Sequence, residues 1–254
     1  MGATSSVSSQ SFGLDVSIVI PCYLDAPHLP ESVAEIDRVM KNTVWTYELI
    51  FVNDCSPDDT ASVVDRLAAE RPNRIAIHHE VNRGRGAAVM TGLRAARGRV
   101  GGYLDIDLEV HARYIPEAVS CILDKGCDVA VGRRDYRLHY RPSDIFRHVL
   151  SAGYRRLIHL FFPLPVTDSE SGYKFFLMKS ALPLIDRVEC EGWFWDTEIM
   201  LAARRANLSI GEFDCLFIRQ KGKRSTVRPL RDAIQYLVEL WRYKRRMKSN
   251  TGEM

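Results

Sequence analysis

Strand-like and helix-like patterns alternate at short intervals from Val16 to Val131, and nothing else in the chain constrains the fold as tightly. Val16-Ser17-Ile18-Val19-Ile20-Pro21 is a β-branched run stopped by proline, which reads as a buried strand. A helical stretch from Pro30 to Met40 follows, with Val33, Ile36, Val39 and Met40 on one side. Tyr47 to Val52 reads as the second strand, and the polar turn Asn53 to Asp59 can cap a helix from Thr60 to Glu70. Strands at Ile75–His79, Val100–Leu104 and Asp128–Val131 alternate with helices at Gly86–Ala96 and Pro116–Lys125. Repeated βαβ units of this kind imply a mostly parallel α/β sheet with helices on both faces. Such sheets bind ligands at the carboxyl ends of their strands, where Asp25, Asn53-Asp54 and Asp105-Ile106-Asp107 fall.

The pattern changes after Val131. Arg133 to Ser143 reads as a basic loop, Ile145 to Phe162 as an amphipathic helix, and Thr167 to Gly172 as a polar turn. A strand over Tyr173–Met178, a helix over Trp195–Ala206 and an extended run Phe213–Arg219 come next. Pro229 to Lys248 is a basic helix with Ile234, Leu237, Val238 and Trp241 on one side. With no repeat and no linker, the expected plan is a disordered tail (1–14), one domain (15–228) and a basic amphipathic C-terminal helix and tail (229–254).

Charge is unevenly spread. The chain carries a formal +3, yet Arg219 to Lys248 holds eleven Lys/Arg against Asp232 and Glu239, or +9, which leaves −6 elsewhere. A basic end of this kind suits an anionic partner. It lacks any interleaved base-stacking motif, which argues against nucleic acid. No stretch reaches the roughly 18 apolar residues of a spanning helix. The cysteines include no C-x-x-C pair, which argues against zinc and thioredoxin-type sites and for reduced thiols in a cytosolic protein.

Asp105 and Asp107, two apart at the end of a strand, can point the same way, and a hard divalent cation would relieve their repulsion. Glu109 continues the spacing. Asn82-Arg83-Gly84-Arg85-Gly86-Ala87-Ala88 is a glycine-rich turn entering a helix. It departs from the dinucleotide fingerprint, because Val89 holds the last position and the turn follows the third strand rather than the first. Two arginines within it suit phosphate contact.

These pieces together, with Ile18-Val19-Ile20-Pro21-Cys22-Tyr23, Asn53-Asp54-Cys55-Ser56, Val131-Gly132-Arg133-Arg134 and Asp168-Ser169-Glu170-Ser171-Gly172-Tyr173, resemble the inverting nucleotide-sugar glycosyltransferases of the Rossmann-like GT-A fold. The branch most similar is that of the polyprenyl-phosphate (dolichyl-phosphate mannose synthase-like) transferases, over residues 15 to 225. The resemblance implies that Pro21, Tyr23, Asp25, Asp54 and the turn at Gly86 line the donor pocket. It implies that Asp105 and Asp107, with Glu109 nearby, hold Mg²⁺ or Mn²⁺ on the donor diphosphate. Arg134 and Arg147 would face the acceptor phosphate, and Arg219, Lys221 and Arg224 would close over the substrates. The chain departs from the family in carrying Asn53-Asp54-Cys55-Ser56 for D-D-G-S, and Val110-His111-Ala112-Arg113 for a His-Pro-Pro-Glu run. His111 could reach the metal or lie in solvent.

The implied reaction passes a sugar from a nucleotide diphosphate to a polyprenyl phosphate, on a protein peripheral to the cytoplasmic face of a membrane. A phosphate acceptor arrives ionised, so arginines must orient it and no base is required. A hydroxyl acceptor would need a carboxylate base. Asp196 and Glu198 are the candidates for it, with Asp168 and Glu170 behind them; the other role open to these four is bracing the arginines. A soluble relative acting on a hydroxyl, or a catalytically silent binding module, are the alternatives, and an intact Asp105/Asp107 pair argues against silence.

Overall fold

The computed structural model describes residues 12–136, 153, 166–218 and 229–250. Seven strands form one sheet in the order β3-β2-β1-β4-β6-β5-β7. The strands are β1 (Leu14–Cys22), β2 (Tyr47–Asn53), β3 (Arg74–His78), β4 (Gly98–Tyr103), β5 (Val129–Tyr136), β6 (Lys174–Leu177) and β7 (Ile210–Phe217). Only β6 runs antiparallel to its neighbours, β4 and β5.

Alternation along β1 and β2 sends side chains to two separate cores. Ile18, Ile20, Leu49 and Phe51 pack under α1 (Leu29–Met40), α2 (Thr60–Ala69) and α4 (Ile115–Leu123). Val19, Ile50 and Val52 pack on the opposite face. There they meet α3 (Arg85–Ala95), α5 (Met178–Ile185), α6 (Trp195–Arg205) and α7 (Pro229–Asn250). Strands buried on both faces read as continuous apolar runs, which is why their sequences announce them.

Expectation and structure differ in β1, in β5 and after β6. β1 begins at Leu14, inside the segment expected to be a tail, and runs through Pro21 to Cys22. Its pairing with β4 ends at Val19, so the proline lies where only β2 flanks the strand. β5 continues to Tyr136 instead of giving way to a loop at Arg133, because β7 pairs with it along that whole length and Asp214 neutralises Arg133. A short helix, α5, follows β6 directly; Pro183 within it hides a pattern whose buried positions are Met178, Ala181, Leu184 and Ile185.

The C-terminal helix forms where expected. Leu240 and Tyr243 are buried, whereas Val238 and Trp241 are 41% and 60% exposed. The helix is anchored by Phe194, whose ring meets Tyr236 and Tyr243, and by Arg246, which pairs with Glu189 and Glu198. The expected helix over 145–162 and the basic segment 219–228 lie outside the described residues, apart from Gly153.

Candidate active site

The carboxyl ends of β1, β2, β4 and β5 share one edge of the sheet. Because β6 is reversed, its amino end reaches the same edge and carries the 168–173 turn there. Tyr103, Lys174 and Val131 are laterally paired across β4, β6 and β5. That register sets Asp105, Arg134 and the turn around one cleft. The cleft is lined by Asp105, Asp107, Glu109, Arg134, Gly172 and Tyr173 among others.

Asp105 offers Oδ1 to Arg85, whose Nε and Nη2 donate at 2.9 and 2.7 Å. Its Oδ2 faces Gly172, where a Cβ would sit 2.3 Å away, so any larger residue would crowd that oxygen. Asp107 accepts the Glu109 amide at Oδ1, 3.3 Å away. Among the described residues no three histidine, cysteine or acidic side chains gather closely enough to hold a metal by themselves. The set fits a cation that takes one or two carboxylates and finishes its shell on substrate phosphates and water. Glu109 lines the cleft as a neighbour of the pair. His111 is turned away: Nδ1 accepts the Arg113 amide and Nε2 lies 3.2 Å from Glu35.

Asp196 lies behind the cleft and is buried. Its Oδ2 accepts Arg85 Nη1 at 2.7 Å, and its Oδ1 accepts Lys174 Nζ at 3.1 Å and the Tyr103 hydroxyl. Three donors thus engage its two oxygens, and the side chain is buried and not among those that line the cleft. Burial holds the Lys174 ammonium below its ordinary pKa against the opposing pull of Asp196. Burial, then Asp196, raises the Tyr103 phenol well above its usual value. Glu198, the other candidate base, is turned toward α7 and accepts the Cys190 amide and Arg246 Nη2. Burial raises its carboxyl.

Arg134 is held by Asp168, which accepts its Nε and Nη2 at 2.7 and 2.8 Å in a bidentate pair, and its backbone amide at 3.2 Å. Burial opposes the charge on Asp168, but Arg134 outweighs it and holds the carboxyl below the usual range. Asp168 therefore braces the arginine. Arg147, Arg219, Lys221 and Arg224, the other residues expected at the acceptor, lie outside the described residues.

On the donor side, Asp54 is occupied with the glycine-rich turn. Its carboxylate accepts the amides of Arg83 and Gly84 at 2.9 and 2.7 Å and stands 2.7 Å from His79 Nδ1. His79 in turn reaches Thr91 through Nε2. Gly86 is small for a protein contact: a Cβ there would meet Trp195 Cβ at 2.6 Å and the Gly192 carbonyl at 2.7 Å. Asp25 is buried and accepts the amide of the exposed Tyr23 at 2.9 Å, and Pro21 lies near the end of β1, paired with Val52 of β2.

Sequence reasoning missed Lys174 and His79, and placed Arg85 only as a phosphate contact. A lysine inside the apolar run Tyr173-Lys174-Phe175-Phe176 was the available signal. Arg85 gave none, because its partners lie 20 and 111 residues away.

Residues 17–182 match the model of glycosyl transferase family 2. The chain belongs to that family. Among curated relatives, the glycosyltransferase AglD of Haloferax volcanii is 34% identical over 79% of this chain and 32% of its own length. A dolichyl-phosphate beta-glucosyltransferase of Trichomonas vaginalis is 29% identical over 78% of this chain and 64% of its own. The chain thus spans about a third and under two thirds of these two relatives. Glucosyl-3-phosphoglycerate synthase from Mycobacterium tuberculosis, solved with Mn²⁺ and uridine diphosphate, superposes with a TM-score of 0.67. That match is 20% identical and covers 90% of this chain and 79% of that one, so the GT-A fold is what the two share. No helix among the described residues is long and apolar enough to cross a membrane.

Proposed function

We propose that this family 2 chain transfers a hexosyl group from a nucleotide-diphosphate sugar to a polyprenyl phosphate, with Mg²⁺ or Mn²⁺, at a membrane surface. The observation that carries the reading is the pairing of functions across one cleft. Asp105 and Asp107 stand on one side and Arg134 on the other, while Asp196 and Glu198, the candidate bases, are engaged by Arg85, Lys174, the Cys190 amide and Arg246. A phosphate oxygen of the acceptor would attack the anomeric carbon as the bond to the donor's β-phosphate oxygen breaks, with inversion and release of a nucleoside diphosphate. The acceptor is already ionised, so no proton has to be removed. A divalent cation held by Asp105 and Asp107 would neutralise charge developing on the leaving diphosphate. Arg134, kept rigid by Asp168, would bring the second anion close despite its repulsion from the first.

Likeness to relatives such as the Trichomonas dolichyl-phosphate beta-glucosyltransferase favours glucose and a dolichyl-type phosphate. Membrane contact draws support from the +9 charge of residues 219–248. It also draws support from the outward face of α7, where exposed Trp241 lies among Arg242, Lys244 and Arg245.

The test is metal dependence through the aspartate pair. Asp107→Asn should lower turnover about 100-fold or more while leaving Tm within a few degrees, since the side chain ends in a cleft. Full turnover in excess EDTA, or in the variant, would overturn the reading.

A further inference from the structure

Among the described residues Lys174 is the only fully buried lysine, and the transfer step uses it for nothing. A buried ammonium is costly without partners, so its surroundings are built for it. Two lines of contact leave it. One passes through Asp196 to Arg85, stacked between the rings of Tyr103 and Trp193, and on to Asp105. The other passes through the Ser171 carbonyl, which Lys174 Nζ also meets, into the turn where Asp168 grips Arg134 and Gly172 abuts Asp105. The strand register sets Lys174 across from Tyr103 and Val131, two residues before Asp105 and three before Arg134.

We infer that Lys174 is a positioning residue that locks the aspartate expected to hold metal and the arginine expected to hold acceptor phosphate into one arrangement. This rests on the reading of the cleft given above. Lys174 and Arg85 balance Asp196 and Asp105, two charges against two. Removing the ammonium leaves the set at −1. Arg85 is then drawn toward Asp196, Asp105 loses its brace, and the 168–172 turn loses its tie to Asp196. A cation would feel a more negative site, while the geometry for transfer would be lost.

The experiment compares K174M, K174R and K174M/D196N in the full chain. It reads Mn²⁺ affinity by electron paramagnetic resonance without sugar, kcat for transfer to farnesyl phosphate, and Tm. K174M should bind Mn²⁺ about threefold tighter or more, yet lose about 100-fold or more in kcat. K174R should return kcat to within about tenfold of wild type and Mn²⁺ affinity to within about twofold. A residue that merely stabilises the fold would not give tighter metal with slower turnover. K174M with kcat within about threefold of wild type, or a loss of kcat at unchanged Mn²⁺ affinity, would overturn the proposal. If K174M does not fold, the double variant, which removes one charge of each sign, takes its place. It should fold and remain about 100-fold slow; recovery of kcat would contradict the proposal, and so would failure of both variants to fold. If wild type moves no sugar to farnesyl phosphate, the functional reading fails, and the Mn²⁺ arm still decides the role of Lys174.

Discussion

Leu24, Cys55 and Leu108 each take left-handed backbone, with φ of 61°, 53° and 50°, just beyond the carboxyl ends of β1, β2 and β4. Side chains there cost about 1–2 kcal/mol apiece. The cost falls where the strands must turn sharply to aim Asp25, Asp54 and Asp107. Cys55 occupies the position that is glycine in the D-D-G-S of related sequences, so Cys55→Gly should be stabilising. A gain of up to about 1 kcal/mol corresponds to a rise in Tm of about 2–4 °C, checked by calorimetry; a fall would contradict the account. Asp168 gives a pH test. Its folded-state pKa lies below the ordinary one, so its contribution is complete above about pH 4 and is lost as pH falls through the folded value. Asp168→Asn should lower Tm at pH 7 and flatten the acid limb of Tm against pH; identical limbs would refute the pairing. Asp105, Asp107 and Arg134 were legible because their chemistry sits in contiguous motifs. The engagement of Asp54, Arg85 and Asp196 was not, because it depends on partners brought together only by the sheet.

At the scale of elements, β1 and β2, buried on both faces, and the amphipathic helices α1 and α2 were legible from their apolar pattern. β5 was read as ending early because Arg133-Arg134-Asp135 looks like solvent-exposed loop, and only pairing with β7 explains it as strand. The C-terminal helix was found, but not the residues that dock it: Tyr243 finds a partner in Phe194, while Trp241 faces outward. This division gives α7 two jobs, with Leu240, Tyr243 and Arg246 holding it to α6 and Trp241 facing outward. Trp241→Ala should therefore weaken sedimentation with anionic vesicles while leaving Tm unchanged within about 2 °C. Binding should also fall as salt rises, because each charge near the surface contributes only about 1 kcal/mol and is screened within about 10 Å at 0.1 M. Equal sedimentation with neutral and anionic vesicles would contradict the assignment.

Over the whole molecule, one architectural decision organises the site. Inserting the reversed β6 between β4 and β5 places the Asp168–Gly172 turn between the carboxylates and the arginine, and gives both sides a shared buried charge network. A site arranged in this way presents Arg134 to an incoming anion, while the candidate bases Asp196 and Glu198 are engaged by other donors. The choice of acceptor is therefore the claim on which the account stands. The measurement is transfer of radiolabelled sugar, with Mn²⁺ present and nucleotide sugars screened in parallel, to farnesyl phosphate and to farnesol. Label should enter the lipid fraction with the phosphate and not with the alcohol. Transfer to farnesol with none to farnesyl phosphate would contradict the account.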